Sequence, residues 1–329
     1  MTSIELAHPH DHLARRFLID PELMADLLAH YPKKVADQQT IRLIDLSRLE
    51  CKSPVTIDEQ LVEGIGDLRF ATSFKGKKRQ SNVFLLFEHQ SSIDQRMRIR
   101  GLKYIVQTYD QFEEEHKGKE KLPYPVVVVL YHGKTAWKSV PDMDDLIDII
   151  PGVESGLLKY TLILIDISVI PSEEFTGHPA LCALLETLQR TSEGKLVANF
   201  DRITNYFLSI KNDPRAKGWL RSLAKYAMSV AKIGTEFIAK AFSKILNEQE
   251  ANEMAMTTAQ ELLLEGKAEG EAIGEKRAIL TVLGARFGKV PQQIAKSVNS
   301  YTDHVALESL TVLAAKCKSL DEFKEGMCH

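Results

Sequence analysis

Cysteine is scarce and scattered in this chain: Cys51, Cys182, Cys317 and Cys328 are the only four, and no two form a CxxC pair. That spacing argues against a zinc site and against a secreted fold stapled by disulfides, and it favours a reducing, cytosolic setting. Long apolar runs are also missing. No stretch approaches the length that crosses a bilayer, and the opening MTSIELAHPHDHLARR has no apolar signal core, so a soluble, cytoplasmic protein without a membrane partner is expected. An excess of positive charge is absent too. With 42 Lys and Arg against 45 Asp and Glu, the net charge of -3 excludes a globally basic nucleic-acid binder, so any such contact must use local patches. No GxxxxGKS loop, no GxGxxG after a strand and no GxSxG elbow occurs, which removes support for a nucleotide cofactor or a serine hydrolase.

What is present is an ordinary globular composition, 44% hydrophobic and 26% charged over 329 residues. That length buries a sizeable core and suggests one main domain with a smaller appendage. The pattern HLARRFLIDPELMADLLAH spaces apolar residues at helical intervals, with Asp20-Pro21 ending one helix and starting the next. TIRLIDLSRLE, EGIGDLRFAT and NVFLLFEHQ then read as three strands in a meander, with the cluster from Lys75 to Arg79 at a hairpin tip. From about Ser92 to Glu115 a helix carries the apolar stripe Leu102, Ile105, Val106, Tyr109 and Phe112, with Arg96, Arg100, Lys103 and Gln107 on another face. PVVVVLYHG and YTLILIDIS are short and β-branched, as fully buried strands are.

Helical patterns dominate after Pro171. Near the C-terminus Gly266, Gly270 and Gly274 recur every four residues, giving one helix face without side chains at a cost of about 1 kcal/mol per glycine relative to alanine. That segment reads as a charged connector helix, or as a bare face where two chains approach. The expected organisation is an α/β core over residues 1–170, a helical extension over 171–255 and a Gly-spaced charged helix with a final helical segment over 256–329. The fold class is α/β, a mixed sheet flanked by helices with an all-helical C-terminal extension.

One constellation carries chemistry. Asp67 lies in GDLRF, and about twenty residues later Glu88 and Gln90 close the apolar run VFLLF. Residues two apart on a strand point to the same side, so Glu88 and Gln90 share a face. Two carboxylates with the backbone carbonyl of His89 between them form an oxygen donor set that suits Mg²⁺ or Mn²⁺. Such a metal would activate a water and neutralise a scissile phosphate, the work of a metal-dependent nuclease. Acids at this spacing also arise as ordinary strand ends.

The surrounding residues resemble a known family. PHDHLARRFLIDPELMADLL, GDLRF, LLFEHQSS followed by MRIRGLKYIVQTYD, and LPYPVVVVLYHGKTAW, with the Gly-spaced tail and LGARFG, are similar in kind and order to the YhgA-like transposases. These are also called the recombination-promoting nuclease (Rpn) family, within the PD-(D/E)XK nuclease superfamily. The resemblance implies a restriction-endonuclease-like core that cuts DNA with a divalent metal, in a role linked to DNA breakage and recombination. Asp67 and Glu88 are the matching acids. Gln90 stands where the superfamily has lysine, offering an amide dipole in place of a positive charge. That departure motivates a second reading, a catalytically weakened nuclease scaffold that binds DNA or protein.

Other residues have narrower roles. Asp11 either approaches the metal site from the first helix or caps that helix. The His89 side chain belongs on the opposite strand face from Glu88 and Gln90, and His132 is expected to close a turn. Lys75, Lys77, Lys78 and Arg79, then Arg96, Arg98, Arg100 and Lys103, form two basic sets that can grip DNA phosphates on either side of a cut or simply meet solvent. Nothing reads bases. A homodimer would supply the two active sites that a concerted double-strand cut needs.

Overall fold

The computed structural model describes residues 9–33, 35–52, 68–76, 83–118, 120–148, 159–301 and 303–327. Asp67, Lys77, Lys78 and Arg79 lie outside them. The described chain begins with α1 (Pro9–Leu18) and α2 (Pro21–His30). The Asp20 side chain accepts from Glu22 N at 3.0 Å and Pro21 opens α2, the break anticipated from Asp20-Pro21.

The first of the three expected strands forms differently. α3 (Val35–Leu43) continues through TIRL, a short 3-10 turn follows at Leu46–Arg48, and only β1 (Glu50–Lys52) is extended. Within α3 Ile41 is buried while Leu43 is 62% exposed, and Ile44, just past the helix, is buried in an isolated antiparallel bridge to Phe74. The Asp45 side chain accepts from Ser47 N and ties the turn.

β2 (Leu68–Thr72), β3 (Val83–Gln90), β4 (Tyr124–Tyr131) and β5 (Thr161–Asp166) complete a five-stranded sheet in the order β1-β2-β3-β4-β5. The first two pairings are antiparallel and the last two parallel. β3 and β4 are buried nearly throughout, as their apolar runs require, whereas β5 alternates buried and half-buried residues because it is an edge strand.

α4 (Met97–His116) crosses from β3 to β4 and covers one sheet face. Its buried stripe is Met97, Gly101, Tyr104, Ile105, Thr108 and Phe112; Val106, expected inside, is 49% exposed. Leu86, Val127, Val129 and Tyr131 meet this stripe from the sheet. On the opposite face β3 and β4 present His89 and His132 to α1 and to the helices that follow β5. These are α5 (Pro179–Ser192), α6 (Leu196–Asn205), α7 (Ala216–Ala231) and α8 (Thr235–Phe242). The architecture is therefore the expected one, a mixed sheet flanked by helices with a helical C-terminal region.

The described residues between 9 and 259 cluster as one compact unit that holds the sheet together with α5 to α8. α9 (Glu248–Phe287) passes into a second unit whose described part is residues 260–327. There α10 (Gln292–Ser300), α11 (His304–Lys316) and α12 (Leu320–Gly326) enclose a core of Ile279, Leu283, Ile294, Leu307 and Phe323. Asp303 and Ser319 cap α11 and α12 through their side chains. A Cβ added at Gly270 or Gly274 would meet nothing within 4 Å. None of the described helices is long and apolar enough to cross a membrane.

Candidate active site

The carboxyl end of β3 brings Glu88 and Gln90 to the α4 face. Strand alternation puts their side chains together, and Gln90 Nε2 donates to Glu88 Oε1 at 2.7 Å. Glu88 is only 4% exposed. A buried carboxylate requires a compensating charge, and α4 supplies it: Arg100 Nη2 donates to the same Glu88 Oε1. Arg100 also donates to the Tyr104 hydroxyl through Nε at 3.3 Å and Nη2 at 3.2 Å, and pairs with Asp94 through Nη1 at 3.4 Å.

These contacts set the protonation. Burial pulls Arg100 down, but the charge of Glu88 and the Tyr104 contact outweigh it and hold the guanidinium above its ordinary range. Burial first, and the negative charge of Glu88 second, push the Tyr104 phenol up, so it stays a neutral hydroxyl.

The predicted basic set on α4 therefore divides. Arg100 turns inward to Glu88. Arg98 donates through Nε to Pro141 O at 3.0 Å and pairs with Asp142 at 2.5 Å, which commits it to the neighbouring loop. Arg96 and Lys103 remain on the exposed surface. Lys75 is exposed as well, but at the wrong end of the sheet. It follows β2, whose Thr72 pairs with Val83 at the start of β3, and five residues of strand separate Val83 from Glu88, roughly 16 Å. Lys75 and the Glu88 end are not adjacent.

Asp67 precedes Leu68 in the chain and has no described position. Leu68 itself pairs with Phe87 in the antiparallel ladder. Among the described residues, no group of three His, Cys, Asp or Glu side chains has the arrangement of a metal site.

Behind the strand lies a cluster that spacing did not reveal. His89 Nδ1 is 3.0 Å from Asp11 Oδ1, and since a carboxylate only accepts, His89 Nδ1–H is the donor. The His89 ring stacks on His132 at 4.5 Å between centroids and 15° between planes. His10 lies 5.2 Å from His132 and its Nδ1 is 2.7 Å from the Tyr226 hydroxyl on α7. His132 Nδ1 sits 2.9 Å from Ser192 Oγ on α5, whose hydroxyl donates to the His132 carbonyl. The serine proton is thus committed to a carbonyl, so Nδ1 of His132 carries its own. Burial, then His89 and His10, depress His132 to about 2, and the ring is neutral. Asp11 sits inside the first turn of α1 and meets His89 from the face opposite Glu88; His132 is part of a buried stack rather than a simple turn residue.

Residues 8–217 match the family described as "Putative transposase, YhgA-like". The chain belongs to that family. It is 30% identical over 194 residues, 58% of this chain and 70% of the relative, to "Recombination-promoting nuclease RpnD" of Escherichia coli O157:H7. Against "Inactive recombination-promoting nuclease-like protein RpnE" of Escherichia coli K12 it is 27% identical over 314 residues, 92% of this chain and 98% of the relative. "Recombination-promoting nuclease RpnA" of the same strain is 28% identical over 198 residues, 58% of this chain and 62% of the relative. No solved structure matches the chain. The Rpn relationship thus spans both the sheet and, through the match to RpnE, the helical C-terminal region. Relatives named as nucleases and relatives named as inactive both occur among the matches.

Tyr104 and Asp94 complete the Glu88 end, and neither was singled out from the sequence. Tyr104 follows Arg100 by four residues, so an i,i+4 reading of α4 would have placed the two side by side.

Proposed function

We propose that this Rpn-family chain is a cytoplasmic, divalent-metal-dependent DNA endonuclease with a restriction-endonuclease-like core, acting in recombination. The observation that carries this reading is the meeting of Glu88 and Gln90 on one strand face, with the buried Glu88 carboxylate fixed by Arg100. Leu68 and Phe87 are partners at the end of the antiparallel ladder, and Asp67 and Glu88 adjoin them in the chain. That connectivity supports Asp67 as the second acid beside Glu88.

The donors suit a hard cation: the carboxylates of Asp67 and Glu88 and the backbone carbonyl of His89 would hold Mg²⁺ or Mn²⁺. When bound, such an ion supplies charge neutralisation at a phosphate and acidifies a water. The protein's own groups do the rest. Gln90 presents an amide that orients a water or phosphate oxygen, and Arg100 holds the Glu88 carboxylate in one rotamer. Arg96 and Lys103, exposed on α4, grip the DNA backbone. A homodimer would pair two such sites for a double-strand cut.

A second reading has its own support. Arg100 and Gln90 both occupy Glu88 Oε1, Gln90 replaces the superfamily lysine, and the relative matched over 98% of its length is named inactive. On that reading the scaffold binds DNA or protein without cutting.

Purified wild type, Glu88→Ala and Asp67→Ala are incubated with supercoiled plasmid in Mg²⁺, in Mn²⁺ and in chelator. Nicking by wild type with metal, lost in both variants, is the expected result. Wild-type inactivity under all conditions with plasmid binding intact favours the second reading. Unchanged nicking in both variants overturns the site assignment.

A further inference from the structure

We propose that Asp11, acting through His89 and braced by His132, positions the Glu88–Gln90 end of β3 from the opposite face of the sheet. This rests on the nuclease reading above and adds a role for the histidine cluster that the reaction itself does not use. His89 lies between Glu88 and Gln90 in the chain, so its backbone torsions set where both side chains point. Its own side chain, in a residue 4% exposed, is fixed on two sides. Asp11 fixes the ring edge at 3.0 Å and His132 fixes its plane by stacking at 4.5 Å. His132 is anchored in turn to Ser192 on α5, and His10 beside it to Tyr226 on α7.

The strand leading to His89, Val83 to Phe87, is wholly apolar and buried, and an apolar residue at 89 would continue that pattern at no polar cost. Instead the chain buries an imidazole here and partners it with an acid from a helix 78 residues earlier. Buried polar networks are costly when incomplete and rigidifying when satisfied. A carboxylate that orients a metal-ligating histidine costs about 10- to 100-fold in metal affinity or activity when lost, and here Asp11 holds the side chain of the residue that offers its backbone carbonyl to the same site. Asp11 and Ser192 come from α1 and α5, so both helices contribute to the geometry at the end of β3.

Wild type, Asp11→Ala and Asp11→Asn are compared for kcat and KM of plasmid nicking in Mn²⁺, for Mn²⁺ affinity without DNA by electron paramagnetic resonance, and for melting temperature. Asp11→Ala is expected to lower kcat and weaken Mn²⁺ binding by about 10-fold or more, with KM for DNA within about twofold of wild type. Asp11→Asn keeps an oxygen that accepts from His89 Nδ1–H and is expected within about threefold of wild type on both readouts. Should Asp11→Ala fail to fold, Asp11→Ser, too short to reach His89, carries the same expectation. Unchanged kcat and Mn²⁺ affinity in the Ala or Ser variant overturns the proposal, as does a rise in KM alone, which would make Asp11 a DNA contact. A wild type that neither nicks nor binds Mn²⁺ removes the nuclease reading and this proposal with it; an active wild type with indifferent Asp11 variants removes only the proposal.

Discussion

Arg100 reaches from α4 to the end of β3 and donates to Glu88 Oε1, the oxygen that also receives Gln90 Nε2. Truncating Arg100 takes this cation away from a carboxylate of 4% exposure. Arg100→Ala should destabilise the fold by about 2 kcal/mol, the range for hydrogen bonds to charged groups at a partly hydrated site. Glu88→Gln, which removes the charge but keeps the shape, should cost less. Urea unfolding of the two variants checks this order, and a larger loss in Glu88→Gln than in Arg100→Ala would refute it.

The position of Lys75 at the far end of β3 separates it from Arg96 and Lys103. Arg96→Glu or Lys103→Glu should weaken plasmid binding several-fold and lower the salt slope by about one for each phosphate no longer gripped. Lys75→Glu should stay within about twofold of wild type. Binding isotherms at two salt concentrations decide, and equal losses at all three positions would count against an α4 track.

Gly101 tests whether packing or helix propensity governs α4. Alanine for glycine in a helix ordinarily gains about 1 kcal/mol. Here a Cβ would lie 2.5 Å from the Tyr160 hydroxyl and 3.3 Å from Val127, and that hydroxyl donates to Arg98 O at 2.6 Å. The clash reverses the sign, so Gly101→Ala should lose about 1–3 kcal/mol, as overpacked sites do. A stabilised variant in thermal melts would show that Tyr160 yields freely.

Acid should loosen the histidine cluster. His132 is depressed from 6.5 to about 2, so between those values the native chain binds fewer protons than the unfolded chain. The associated stability is fully present above about pH 6.5 and falls by up to about 1.4 kcal/mol per pH unit as pH drops toward about 2. Burial and His89 lower His10 as well, which adds in the same direction. His132→Phe keeps a stacking ring and removes one titration, so its stability should change less than that of wild type between pH 7 and pH 5. Parallel pH slopes in the two proteins would contradict the assignment.

The sequence by itself determined what depends on neighbours along the chain. The break at Asp20-Pro21, the buried runs that became β3 and β4, and the shared face of Glu88 and Gln90 all follow from periods of two or 3.6 residues and from local capping. The same local signals misled at TIRLIDLSRLE, where apolar residues fit either period and packing made the first part helix, with Ile41 buried and Leu43 exposed. The tertiary structure alone decided which charges meet. Arg100 turned from an expected phosphate grip into the partner of Glu88, Lys75 moved away from the site, and Asp11, His10, His89, His132 and Ser192 came together from separate elements. Burial is the physical reason. A side chain's partner is fixed by what must be compensated once water is excluded, and that depends on which elements pack face to face, which no spacing along the chain records.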